Sequence, residues 1–177
     1  IGVAGKAAQR GLYIANEIFR PDVPASNKWI PSDSVSSIAF LSDIHVGSYM
    51  FMKPQWDRMI DWLKKNAYDT ELNYLVLPGD VVDGIGIFPG QEEELNISNI
   101  YKQYEALANY LKEVPDHIKI VLQPGNHDSV RLAEPQPALS SIFTKMFDSN
   151  IMMVSNPVNL KVEGRTVLTY HGKSIDD

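Results

Sequence analysis

The chain has 177 residues, a formal net charge of −6, 44% hydrophobic and 21% charged residues, and no cysteine. That composition suits one globular domain with a sizeable core and excludes both a disulfide framework and a thiolate metal site. The acidity speaks against a basic face that neutralises nucleic-acid phosphates unaided, so any grip on nucleic acid must come from bound cations, a local patch or a partner.

Residues 1–20 read as a helix ended by Pro21, and "RPDVPASNKWIPSDS" reads as a Pro- and Ser-rich connector. Residues 1–34 are therefore expected to be an N-terminal helix and connector from an upstream domain, with the main domain at 35–177. The sequence begins with Ile1 and stops just after a strand-like run, and is read as a piece of a longer protein. No apolar run reaches the ~18 to 20 residues needed to span a bilayer, and the N-terminus lacks a signal-peptide layout. A cytoplasmic, non-membrane protein is the expectation.

From Val35 the pattern alternates. "VSSIAFLSD" reads as a strand and "PQWDRMIDWLKKN" as a helix with Pro54 in its first turn and Trp56, Met59, Ile60 and Leu63 on one face. "NYLVLPGD" is a second strand. "SNIYKQYEALANYLKEV" is a helix whose Ile100, Tyr104, Leu107 and Leu111 form a stripe. "IKIVLQPGN" is a third strand, and "PALSSIFTKMF" a helix burying Leu139, Ile142, Phe143 and Met146. "VNLKVEGRTVLTYHG" closes the pattern as a hairpin turning at Glu163-Gly164. Strands alternating with helices imply an α/β fold with a largely parallel sheet, and the hairpin adds antiparallel strands.

The strands end in a consistent way. Asp43 and His45 follow the first, Asp80 the second, Asn126 and His127 the third, and His171 the last. Carboxyl ends of neighbouring strands in such sheets open onto one crevice, so these distant residues are expected to meet there. Carboxylate, amide and imidazole donors without thiolate suit Mn, Fe or Zn. Asp43 and His45 can converge on one ion, and Asp80 can bridge two. A pair of cations ~3.5 to 4 Å apart clamps a phosphate and stabilises the attacking and leaving oxygens. Asn126 would be a neutral oxygen ligand. His127, not bound to metal, would serve as general acid or electrostatic stabiliser, with Asp128 fixing its tautomer. His117 is assigned to the surface, and Arg131 either to a phosphate or to a salt bridge.

"DIH", "GDVVDG", "GNHD" and "YHG", in that order and each after a strand, resemble the calcineurin-like metallophosphoesterase superfamily. The longer runs "PGDVVDGIGIFPGQEEELNISNIYKQYE", "PGNHDSVRLAEPQPAL", "VSNP" and "YHGKSIDD" resemble the small, exonuclease subunits of archaeal D-family DNA polymerases from about Pro21 onward. The resemblance implies an α/β, two-sheet β-sandwich flanked by helices, C-terminally incomplete here, with a dinuclear centre expected to hold Mn2+ or alternatively Fe or Zn. It implies 3′ to 5′ proofreading of a DNA 3′ end beside a large catalytic polymerase subunit. Asp43 and His45 would then ligate the first metal, Asp80 would bridge, Asn126 and His171 would ligate the second, and His127 would be the catalytic histidine. The family also carries an upstream oligonucleotide-fold domain, to which residues 1–20 would connect. A downstream Gly-His-x-His pair that supplies one ligand to each metal is absent from these residues, so this piece alone is expected to bind metal weakly and to be nearly inactive.

Two alternatives have distinct signatures. A stand-alone metallophosphatase or phosphodiesterase would prefer a small ester over an oligonucleotide. A catalytically silent polymerase scaffold would have lost its ligands, whereas Asp43, His45, Asp80, Asn126, His127 and His171 are all present.

Overall fold

The computed structural model describes residues 2–20 and 33–175, and the chain divides into two units, Ile1–Pro31 and Ser32–Asp177. The first corrects the expected N-terminal helix. Its strands β1 (Gly2–Ala7) and β2 (Tyr13–Phe19) form an antiparallel hairpin with Ala7 opposite Tyr13 and a bulge at Ala4/Gly5. Glycine accounts for the difference. Gly11 turns the chain at φ 76°, and a Cβ on Gly5 would stand 2.1 Å from the Ile14 carbonyl oxygen. The segment "YIANEIF" also carries the β-branched and aromatic residues that favour strands. Most of the Pro- and Ser-rich connector, residues 21–32, lies outside the described residues.

The second unit runs β3 (Ser37–Phe40), α1 (Lys53–Asn66), β4 (Leu72–Pro78), α2 (Ile100–Leu111), β5 (Lys119–Gln123), α3 (Ser141–Thr144), β6 (Ile151–Met153), β7 (Val158–Val162) and β8 (Arg165–Thr169). Strands β3, β4, β5 and β6 form one parallel sheet in that order, and β7 and β8 form a separate antiparallel pair. Val162 lies opposite Arg165, so the hairpin turns at Glu163-Gly164 as its sequence requires.

Period-2 alternation splits the sheet's side chains between two clusters. Leu75, Leu77, Ile120 and Leu122 face Trp56, Ile60 and Leu63 of α1 and Tyr104, Leu107 and Leu111 of α2. Val76 and Val121 face the other way, onto Leu160 and Val162 of β7. The expected two-layer sandwich is thus present, its second layer being, among the described residues, a two-stranded one.

Both long helices keep the stripes read from their sequences. Pro54 sits at the start of α1, and the Asn99 side chain caps α2 by accepting from the Lys102 amide at 3.1 Å. The third helix is a single turn. It buries Phe143, but Ile142 stays 57% exposed, so the expected four-residue stripe is wrong at that position. Strand β6 was not foreseen, because three residues are too few to show a period.

The core makes a direct stability prediction. Leu122 is fully buried, whereas Leu168 is 65% exposed. Leu122→Ala is expected to lower the unfolding free energy by about 2–5 kcal/mol in urea titrations, with Leu168→Ala within about 0.5 kcal/mol of the parent.

Candidate metal centre

The crevice forms where the loops after β3, β4 and β5 run side by side. The Asp43 amide donates to the Gly79 carbonyl (3.1 Å), the His45 amide to Asp80 (3.1 Å) and the Asp83 amide back to Val46 (3.0 Å). This lacing holds three site residues in the left-handed region, at φ 56° for Asp43, 50° for His45 and 51° for Asp80. Non-glycine residues resist that conformation, and it persists where the surroundings over-determine it.

Asp80, only 4% exposed, stands at the centre. One carboxylate oxygen accepts the His127 amide at 2.8 Å. The other lies 3.2 Å from His171 Nε2 and 3.8 Å from His45 Nε2. Burial alone would raise the Asp80 pKa. The hydrogen bond from His171, the His127 amide and the charges of both rings outweigh it and hold the carboxyl below its ordinary value. In return the Asp80 hydrogen bond pushes His171 up to about 9.

Three histidines share one orienting device. His45 Nδ1 donates to the Asp83 carboxylate (3.0 Å), His127 Nδ1 to the Asp83 carbonyl (2.8 Å) and His171 Nδ1 to the Pro78 carbonyl (3.0 Å). Each bond selects the tautomer whose Nε2 lone pair is free to meet a metal or carry a proton. His171 Nε2 also lies 3.1 Å from Asn126 Oδ1. The rings of His45 and His127 meet edge to face at 4.6 Å.

Two glycines make room. A Cβ on Gly125 would stand 2.3 Å from Asp80 Oδ1 and 2.6 Å from its backbone nitrogen, and one on Gly79 would stand 2.3 Å from the His171 ring. The Pro-Gly pairs before Asp80 and Asn126 are therefore clearances for the site's own side chains.

The crevice brings together Asp43, His45, Asp80, Asn126, His127 and His171, as expected. Asp128 has a different place. It is 3% exposed, and its oxygens accept the amides of Gly125 (2.8 Å), Val81 and Val82 (both 3.4 Å) and the Tyr104 hydroxyl (3.3 Å). It braces the loops, while Asp83 orients His127. Burial, opposed by the Gly125 amide, pushes Asp128 up to about 7.

Sequence reasoning missed Asp83, although "GDVVDG" contains it. A carboxylate three residues after Asp80 could have been weighed as a partner for His45. It also missed Asn156, which has no exposed surface. Its Oδ1 accepts the His171 amide (3.0 Å) and the Gln123 side chain (2.6 Å), and its amide donates to Gln136 (2.7 Å). His117 is half-buried and stacked on Tyr68 at 3.9 Å rather than lying on the surface, and Arg131 donates to the Pro135 carbonyl at 2.6 Å.

Among the described residues, two triads of donors lie close enough to hold a cation, Asp43 with Asp80 and His171, and His45 with Asp83 and His127. The second is already satisfied by the hydrogen bonds to Asp83. The first has spare lone pairs, and the ion-pair partners of buried Asp80 among the described residues are imidazoles. A divalent-cation centre built on Asp80 fits that acidic, oxygen- and nitrogen-rich set, with His45 Nε2 3.8 Å from the same Asp80 oxygen and Asn126 Oδ1 3.1 Å from His171 Nε2.

A parallel sheet whose strand ends gather carboxylates, an amide and histidines defines a metallophosphoesterase. The chain belongs to the calcineurin-like phosphoesterase family, whose profile matches residues 36–177. It is similar over its whole length to the DNA polymerase II small subunits of Archaeoglobus fulgidus (46% identical) and Thermoplasma acidophilum (43%), and it covers 37% of each. The chain thus spans little more than a third of the length of these relatives. Among solved structures, the Pseudomonas putida nuclease MPE aligns with 70% of this chain and 50% of its own at 17% identity and a TM-score of 0.35.

Two outcomes follow from the geometry. Gly125→Ala must displace the Asp80 carboxylate and is expected to weaken Mn2+ binding at least tenfold by calorimetry, with far-ultraviolet circular dichroism preserved. Below pH about 9, His171 holds the proton that a cation must displace. Mn2+ affinity is therefore expected to rise with pH, by roughly a decade per unit between pH 6.5 and 8.5. A flat profile in calorimetry would contradict the ligand role of His171.

Proposed function

We propose that this chain is the phosphoesterase part of the small subunit of an archaeal D-family DNA polymerase, and that it hydrolyses phosphodiesters from the 3′ end of DNA. In this reading it proofreads in the cytoplasm for a large catalytic subunit. The observation that carries the chemistry is one Asp80 oxygen that lies 3.8 Å from His45 Nε2 and 3.2 Å from His171 Nε2. A carboxylate so placed could be shared by two cations. The DNA assignment is supported by the similarity to polymerase small subunits.

Asp43, His45 and Asp80 would hold one divalent cation, and Asp80, Asn126 and His171 a second, with Mn2+ favoured and Fe or Zn compatible. Held by these residues, such a pair would supply polarisation of the phosphodiester and a lowered pKa for an attacking water. His127 keeps its Nδ1 on the Asp83 carbonyl, so its Nε2 can hold a proton and deliver it to the leaving oxygen. Asp83 keeps His45 and His127 in register through its carboxylate and its carbonyl. The net charge of −6 is compatible with a nucleic-acid substrate because the cations, not Lys or Arg, would meet the phosphate.

The test uses the full-length protein with Mn2+ and a single-stranded oligonucleotide. Stepwise loss of nucleotides from the 3′ end is expected. His127→Ala should lower kcat by about 10²–10⁴ while Mn2+ affinity holds, and Asp80→Ala should abolish both cleavage and tight metal binding. Unchanged cleavage in both variants would establish a silent scaffold. Faster turnover of a small phosphate ester than of the oligonucleotide would point to a stand-alone phosphatase.

A further inference from the structure

A pocket of about 570 Å3 adjoins the metal centre and shares Asp43, His45 and His127 as one wall. Its other walls come from the loop between β3 and α1, from α1 itself and from Phe88. Met50, Phe51, Met52, Trp56, Met59 and Phe88 give it an apolar lining. Several of these remain in water, Met50 at 79%, Met52 at 57% and Phe88 at 39% exposed. Large apolar side chains left exposed beside a polar centre mark a binding surface. The volume falls within the range of about 300–1,000 Å3 typical of small-ligand sites.

What fits is narrowed by the lining. No Lys or Arg is among its residues, while Ser42, Ser48, Gln55 and Glu94 supply uncharged and acidic polar groups at intervals. Neighbouring phosphates find nothing there to hold them. The occupant must carry no negative charge, be largely apolar, be able to hydrogen-bond at its edge, and be attached within reach of a phosphodiester held at the shared wall. A nucleobase meets all four conditions. Thioether and aromatic side chains supply the sequence-tolerant stacking on which single-stranded nucleic acids rest.

We propose that this pocket receives the terminal nucleobase of the DNA end being cleaved. The inference rests on the DNA-end reading above and adds to it. Base stacking would be the pocket's own contribution to substrate binding. It also requires the terminal base to be unpaired, since a base stacked within a duplex cannot enter a pocket.

The test uses full-length protein and a single-stranded oligonucleotide carrying 2-aminopurine at its 3′ terminus. In the His127→Ala background with Mn2+, the probe's fluorescence is expected to fall on binding. Adding Met50→Ala and Phe88→Ala, both at exposed positions, should raise its Kd about tenfold, the order expected for one lost stacked base. With otherwise native protein, an end bearing a normal nucleotide should be cleaved about tenfold faster in kcat/KM than an end bearing an abasic one. The Met50→Ala/Phe88→Ala variant should lose that preference through its KM and cleave the abasic end at the unaltered rate. Equal cleavage of both ends by the native protein, or a preference that survives the double substitution, would overturn the proposal. So would an intact preference with loss of the large subunit on purification, which would make the pocket a polypeptide dock. Absence of all DNA cleavage would remove the nuclease reading; quenching that is sensitive to Met50 and Phe88 would still support the base pocket, and absence of quenching would overturn it.

Discussion

A carboxylate kept almost out of water has to be answered by positive charge, and at Asp80 the answer comes from imidazoles alone among the described residues. Burying an uncompensated charge is expensive, and a proton on His171 or a bound cation can both relieve it. This competition explains why the same geometry lowers the Asp80 pKa, raises that of His171 and suits a divalent ion. The surrounding loops are shaped to preserve it. Left-handed backbone at Asp43, His45 and Asp80 costs on the order of 1–2 kcal/mol per residue, and the interloop hydrogen bonds hold it in place.

The second layer of the sandwich reaches the site through polar as well as apolar contacts. β7 covers one face of the sheet with Leu160 and Val162, and the chain leaving β8 delivers His171. Asn156 then ties the His171 amide to Gln123 at the end of β5 and to Gln136, whose side chain donates to the Gly125 carbonyl at 3.3 Å. Thr169 adds a bond to Gln123 at 2.6 Å. A fully satisfied buried network of this kind fixes one register between layers, because a slip would leave several polar groups unpaired at once. The ligand contributed by the hairpin is thereby held in register with those from the parallel sheet.

Much of this was legible in the sequence because two rules are robust. Apolar strands and helical stripes announce themselves by period, and functional side chains of a parallel sheet collect past its carboxyl ends. Those rules located Asp43, His45, Asp80, Asn126, His127 and His171 in one crevice. They failed where a choice depends on three-dimensional partners. Residues 1–20 carry enough alanine and polar residues to mimic a helix, but Gly5 and Gly11 decide for a hairpin. Asp128 adjoins His127 in sequence, yet the turn sends its side chain inward to three backbone amides and leaves the His127 ring to Asp83. Asn156 follows a strand too short to recognise, and nothing local marks it as a partner of His171.

The most direct test is anomalous diffraction from crystals of the full-length protein grown with Mn2+. Two peaks about 3.5–4 Å apart are expected, both within coordinating distance of the same Asp80 carboxylate, with Asn126 and His171 on one and Asp43 and His45 on the other. Peaks held by His45, Asp83 and His127 instead, with Asp80 left to its imidazole partners, would contradict the account.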